Sequence, residues 1–373
     1  MFLTVVLAPT AVGLIGAVLA LFISITDLIV NNYGEVVIDI NKGKRKLTVK
    51  GGAPLLMTLS EQEIFIPSAC GGRGSCGACK VRVLSDVGPH LPTETPYMSK
   101  TEIDQNIRLS CQIKLKKNIE IEIPDELFNI RRFQGTVEKI LDLTHDIKEV
   151  YIRLNQPEAI EFKSGQYIQL VVPPYGKVKE STQRGYSMSS VPSDRNHVEL
   201  LIRLVPGGIV TTYVHTLLKE GQPIELTGPY GEFGVHDTGA MMICVAGGSG
   251  MAPFKSILND MLENGKKDRE IWYFFGARTR KDLFYLEELA EMEKKWDKFH
   301  FVAALSEPQP EDNWQGESGL ITQVLEKYLT TVIDGGAPKE GYLCGSPGML
   351  DACIAVMKKF GMSEDKIYFD KFA

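Results

Sequence analysis

Four cysteines constrain this 373-residue chain more than any other feature. Within SACGGRGSCGACKV, Cys70, Cys76 and Cys79 stand with five and then two residues between them, and Cys111 follows in RLSCQI. A fold that gathers them makes a site of four thiolates. The loop is dense in glycine, and Gly71, Gly72, Gly74 and Gly77 allow backbone N–H groups to approach inorganic sulfide, a contact that tunes reduction potential. Structural zinc sites more often present two C-x2-C pairs, whereas here three ligands share one loop and one stands alone, a spacing that favours a 2Fe-2S cluster. A Rieske centre needs two histidines, and none of His90, His145, His197, His215, His236 or His300 lies in such a motif. Seven cysteines, an odd number with four close together, imply metal ligation in a reducing compartment and not a disulfide framework. Cys244 and Cys353 read as buried small hydrophobes.

The second constraint is at the N-terminus. Residues 1–26 carry no charged side chain, and roughly 20 apolar residues suffice to cross a bilayer as a helix. The stretch lacks the basic n-region of a signal peptide, so a membrane anchor over 1–30 is expected. Lys42, Lys44, Arg45 and Lys46 follow it, which puts everything after the anchor in the cytoplasm: a single pass through the inner membrane. Pro9, Gly13 and Gly16 fit either a kinked helix, one closely packed on a neighbour, or an ordinary membrane helix. The formal net charge of −6 leaves no broad basic surface, which argues against nucleic acid as a partner.

Three soluble domains are expected beyond the anchor, at 33–126, 130–235 and 236–373. Two short strands around Asn41-Lys42-Gly43 and the alternating IEIEIP at 119–124 describe a small β-rich domain. The runs VEKIL, KEVYIRL, QYIQLVV, HVELLIRLV and PIELTG, punctuated by Gly and Pro, describe an antiparallel barrel with little helix. After residue 240, buried strands (MMICVA, IWYFF, FHFVAAL, GYLC) alternate with amphipathic helices, the pattern of a doubly wound parallel sheet. In the helix after Met251, Phe254, Ile257, Leu258, Met261 and Leu262 share one face.

The cysteine spacing differs by one residue from the plant-type ferredoxin pattern. Behind an N-terminal membrane helix, it resembles that of the F subunits of the Na+-translocating NADH:quinone reductases. Arg184-Gly185-Tyr186-Ser187 likewise resembles the RxYS flavin motif of the ferredoxin-NADP reductase superfamily to which that family belongs. The resemblance implies a β-grasp ferredoxin-like domain, a flavin-binding barrel and a nicotinamide-binding domain, with FAD, a 2Fe-2S cluster held by Cys70, Cys76, Cys79 and Cys111, and NADH as substrate. It assigns Arg184 to the flavin pyrophosphate, Tyr186 to the isoalloxazine and Ser187 to the vicinity of N5. It also implies a second phosphate loop at Gly207, Gly208, Thr211 and Thr212, and a nucleotide turn at Gly247, Gly248, Ser249 and Gly250. Cys344 and Gly345 would border the nicotinamide, and Phe372 would cover the flavin, with Phe369 as a core residue of the last strand. Arg278 and Arg280 suit either NADH or a 2′-phosphate, and the family pattern favours NADH.

The expected function is electron transfer from NADH through FAD and the cluster to a quinone or protein acceptor, alongside other integral membrane redox subunits. The family carries an insertion between the strand at Gln166 and RxYS, whereas here only LVVPPYGKVKESTQ and a few neighbours lie there. The rival readings are the reductase component of a multicomponent monooxygenase and a zinc-binding, membrane-tethered adaptor.

Overall fold

The computed structural model describes residues 14–22, 33–68, 70–333 and 335–371. The expected anchor falls mostly outside them. Residues 14–22 are helical with Leu14, Ile15, Leu19 and Phe22 exposed, and among the described residues no helix is long and apolar enough to cross a membrane. The chain divides into two compact units, Met1–Asn129 and Ile130–Ala373.

In the first unit β1 (Glu35–Ile40) and β2 (Arg45–Lys50) form a hairpin. Asn41 and Lys42 take left-handed backbone at its tip. α1 (Leu55–Glu61) buries Leu55, Leu56 and Leu59 against the sheet. β3 (Lys80–Val83), α2 (Lys100–Asp104), β4 (Ile107–Leu109) and β5 (Ile119–Glu122) follow. β5 runs parallel to β1 and antiparallel to β3, giving the order β2-β1-β5-β3-β4. This closing strand in the middle of a mixed sheet is the β-grasp arrangement. Alternation explains it, because Ile119 and Ile121 point inward while Glu120 points to water.

A buried ion pair pins the loop between β3 and α2. Arg108 Nε and Nη2 donate to Glu94 at 3.0 and 2.7 Å, and its other N–H groups reach the carbonyls of Gly88 and Pro89. Glu94 also accepts from the backbone N–H groups of Leu91 and Leu109, so both charges are satisfied. Burial raises the Glu94 pKa, but the hydrogen bonds from Arg108 and the two amides outweigh it and leave it lowered.

The second unit begins with β6 (Arg131–Asp142), β7 (Ile147–Gln156), β8 (Tyr167–Val172), β9 (Thr182–Ser187), β10 (His197–Arg203), α3 (Ile209–Thr216) and β11 (Pro223–Tyr230). The six strands form one antiparallel sheet in the order β10-β7-β6-β11-β8-β9. A bridge between Met188 and Leu200 brings its two edges together around Val137, Ile152, Ile168 and Leu226. The Arg-Gly-Tyr-Ser run comes after β8 and lies within β9. Its polar residues hide the alternation, and pairing with β8 supplies the strand.

The unit ends with β12 (Met241–Gly247), α4 (Met251–Glu263), β13 (Ile271–Ala277), α5 (Leu286–Lys295), β14 (Phe299–Leu305), β15 (Glu317–Ser318), α6 (Ile321–Thr331), β16 (Lys339–Gly345), α7 (Pro347–Lys359) and β17 (Ile367–Lys371). The sheet is wholly parallel in the order β15-β14-β13-β12-β16-β17, with separate apolar cores on its two faces. The order reverses between β12 and β16, where open α/β sheets place their ligands. Cys244 and Cys353 are fully buried. Phe369, expected in the core, is 45% exposed, because β17 is the edge strand and that position lies beyond the buried Ile367.

Replacing Arg108 by leucine strands the Glu94 carboxylate in the core, and the expected cost is about 3–5 kcal/mol in a urea titration followed by circular dichroism. Since the Glu94 pKa is depressed by folding, its stabilisation is complete above the unfolded value of about 4.3 and is lost as pH falls through the lower folded value. A variant within about 1 kcal/mol of the parent at pH 7 contradicts this account.

Candidate functional site

The loop after α1 brings the four thiols together in two pairs. Cys70 is hydrogen-bonded to Cys76 and Cys79 to Cys111, and Cys70 and Cys111 interact electrostatically across the pairs. The Ser110 backbone N–H and hydroxyl both donate to the Cys79 carbonyl, at 2.8 and 3.0 Å, which locks the segment carrying Cys111 beside the ligand loop. Gly71, Gly72, Gly74 and Gly77 all take left-handed backbone. Within each pair one sulfur holds the proton for the other, so Cys70 and Cys111 are lowered while Cys76 and Cys79 are raised. Among the described residues no three His, Cys, Asp or Glu side chains form a group that could hold a single metal ion. Two pairs of thiols match two iron atoms with two protein ligands each.

On β9, Arg184 is half-buried, its Nη1 donating to the Gln183 carbonyl. Tyr186 packs against the barrel core, and burial raises its phenol. Ser187 is buried, and its hydroxyl donates to Asp370 Oδ2 at 3.2 Å. Beside Gly185, Gln169 on β8 is 1% exposed and its Nε2 finds no partner among the described groups, so the strand pair holds a buried donor in reserve. Gly207 and Gly208 precede α3, whose first turn has no side-chain cap. Thr211 is committed to the turn, accepting from the Val205 N–H at 3.2 Å, while Thr212 stands half-buried on the next position.

Gly247, Gly248, Ser249 and Gly250 form the turn from β12 into α4, which again begins without a side-chain cap and so leaves amides for an anion. A Cβ on Gly250 would overlap the Cys344 carbonyl, so only glycine lets this turn lie against β16. Cys344 is fully buried, its thiol pushed well up by burial, and Gly345 follows it at the strand end. Asp370 pairs in register with Cys344 across β16 and β17, and burial raises its carboxyl. Phe372 lies outside the described residues. Arg278 is bound by Glu307 at 2.9 Å.

Comparison with known proteins decides the family. Residues 38–116 match the model of the 2Fe-2S iron-sulfur cluster binding domain, 134–234 that of the oxidoreductase FAD-binding domain and 244–354 that of the oxidoreductase NAD-binding domain. The F subunit of the Na(+)-translocating NADH-quinone reductase of Idiomarina loihiensis is 36% identical over 91% of this chain and 92% of its own length. That of Neisseria meningitidis is 35% identical over 95% and 96%. The chain belongs to the family of Na+-translocating NADH-quinone reductase F subunits. Among solved structures, the Amycolatopsis cytochrome P450 reductase GcoB has a TM-score of 0.71 at 28% identity over 90% of this chain and 98% of its own. The ferredoxin reductase of carbazole 1,9a-dioxygenase has 0.68 at 26%, over 91% and 99%. The residues present fit the three groups these models name: two thiol pairs for the cluster, an arginine-bearing strand and uncapped helix start for FAD, and a glycine turn at the sheet's switch point for NAD.

Three residues of this family member escape a sequence reading. Asp370 sits in YFDKF with nothing around it to mark a role, and only the fold carries it to Ser187. Arg203, held by Asp146 at 2.7 Å, brings its guanidinium beside Gly248 of the nucleotide turn; LIRLVPGG was the available signal. Lys255, on α4 just past that turn, reaches across to the barrel. Its Nζ bonds Glu149 at 2.8 Å and Glu199 more closely still, while Tyr285 donates to Glu149 and Ser189 to Glu199. Burial raises Glu199, whereas for Glu149 the pull of Lys255 overcomes burial and leaves it lowered. Lys255→Met leaves that cluster without its cation, and the expected loss is about 3–5 kcal/mol in urea unfolding, partly restored by adding Glu199→Gln. Equal stability of Lys255→Met and its parent contradicts the assignment.

Proposed function

We propose that this chain is the membrane-anchored, NADH-oxidising subunit of an Na+-translocating NADH:quinone reductase-type complex, its soluble domains in the cytoplasm at the inner membrane. The observation that carries the reading is the Ser187–Asp370 hydrogen bond, which ties the flavin-motif strand to the nucleotide sheet beside its switch point. The family relation supports the rest: integral membrane redox subunits as neighbours and a quinone or protein acceptor downstream. The charge-free stretch at 1–26 and the exposed apolar side chains of residues 14–22 support the anchor. The domains are taken as 33–126, 130–235 and 236–373.

FAD, when bound, accepts a hydride and releases its electrons singly to the cluster. Arg184, with a guanidinium fork that suits phosphate oxygens, holds the flavin pyrophosphate together with Gly207, Gly208 and Thr212, while Thr211 keeps that loop in shape. Tyr186 would lie against the isoalloxazine, and Gln169 would offer it a buried amide donor. Ser187, its hydroxyl held by Asp370 Oδ2, would orient the nicotinamide beside the flavin. Gly247, Gly248, Ser249, Gly250 and Arg203 hold the NADH pyrophosphate. Cys344 and Gly345 shape the nicotinamide end as packed, neutral groups, and Phe372 shields the flavin until substrate arrives. The family pattern favours NADH over NADPH.

The likeness to GcoB and to the carbazole dioxygenase reductase favours a second reading, the reductase component of a multicomponent oxygenase. Two experiments separate and test these. In Cys76→Ser protein that is folded and FAD-loaded, NADH still bleaches the flavin while the cluster EPR signal and reduction of cluster-dependent one-electron acceptors vanish; loss of bleaching overturns the order of carriers. Deleting residues 1–26 leaves NADH oxidation with soluble acceptors intact and abolishes quinone reduction in membranes. Full quinone reduction by the truncated chain overturns the anchor's role.

A further inference from the structure

The cluster loop has a side chain whose only evident purpose is to touch a ligand sulfur. Gln112 follows Cys111 in the short turn after β4, and its Nε2 lies 3.5 Å from Cys111 Sγ, the distance of an N–H···S hydrogen bond. The far end of the amide is fixed as well, because Thr93 Oγ1 donates to Gln112 Oε1 at 3.1 Å. A sulfur deprotonated for ligation can only accept, so the amide must present nitrogen to it and oxygen to Thr93. Two further features hold this orientation. Gly74, in left-handed backbone, leaves room that a side chain would take, since a Cβ there would stand 2.7 Å from Gln112 Nε2. Thr93 in turn precedes Glu94, the buried anchor of Arg108, so the ion pair that pins the loop also sets the hydroxyl that aims the amide.

We propose that Gln112 is a positioning residue that raises the reduction potential of the 2Fe-2S cluster by donating a hydrogen bond to Cys111 Sγ, with Thr93 setting its orientation. The proposal rests on the cluster reading above. In the step it affects, one electron from the NADH-reduced flavin converts one ferric ion of the cluster to ferrous, with no bond made or broken and no proton taken up by the amide. The added negative charge spreads onto the cysteine sulfurs, and a neutral N–H aimed at one of them stabilises the reduced state more than the oxidised one. A donor to a ligand sulfur therefore makes the cluster easier to reduce, and the residue acts on the driving force from flavin to cluster.

The test is an EPR-monitored redox titration of the full-length, FAD- and cluster-loaded protein. Gln112→Leu shifts the cluster midpoint to lower potential, and Gln112→Glu shifts it further, because a carboxylate replaces the donor. Thr93→Val leaves ligand and amide in place and gives a smaller shift in the same direction, so it decides the matter if Gln112→Leu fails to hold a cluster. In resonance Raman spectra the deuterium shift of the Fe–S(Cys) stretch shrinks in Gln112→Leu. Midpoints of both Gln112→Leu and Thr93→Val equal to the parent's overturn the proposal while leaving the function intact. A parent protein with no 2Fe-2S signal overturns the function, and this proposal with it.

Discussion

Hydride transfer works only over contact distance, so everything in the larger unit depends on holding the nucleotide sheet against the barrel. The interaction that does so is the ammonium of Lys255 shared between Glu149 of β7 and Glu199 of β10. It sits four residues beyond the first residue of α4, so the helix whose uncapped N-terminal turn is proposed for the NADH pyrophosphate is the same element that grips the barrel. Ser164 bonding Asp260 and Ser193 bonding Glu263 extend the grip along that helix. With α4 fixed, the switch point between β12 and β16 faces β9, and Ser187 meets Asp370. An isolated buried lysine would be costly; here Lys255 is paired with both carboxylates, so the charges of the joint are satisfied.

The smaller unit solves a different problem with the same device. Its core is made of short strands and one two-turn helix, and the segments that bear the thiols are irregular. Irregular backbone keeps a shape only where its polar groups are satisfied. Arg108 and Glu94 do this for the loop from residue 86 to 98, and Ser110 does it for the meeting of Cys79 with Cys111. The thiols are thereby held in two pairs.

Much of this could be read from the chain alone. The β1–β2 hairpin, the closing strand β5 and the strands β12, β13, β14 and β16 follow from alternation or from apolar runs bounded by glycine. The cysteine ligands follow from spacing. Strand β9 was hidden because Thr182, Gln183 and Arg184 break the apolar pattern, and its strand character comes from its partner β8. Phe369 reads as a core residue because it is an aromatic in the last strand, and only its edge position exposes it. Asp370, Arg203 and Lys255 were invisible for a common reason. Each is an ordinary charged residue in its own segment and gains meaning from a contact 57 or more positions away in the chain. Long-range polar contacts have no period, and no local pattern announces them.

The central claim is that one chain conducts electrons from NADH through a flavin to a four-thiolate cluster. Its most direct test is rapid anaerobic mixing of NADH with the full-length loaded protein, following flavin and cluster absorbance together and freezing samples for EPR. The account predicts that flavin bleaching comes first and that the 2Fe-2S signal grows in afterwards at the expense of reduced flavin. A cluster that stays oxidised while the flavin is fully reduced, or one that is reduced before the flavin, would contradict it.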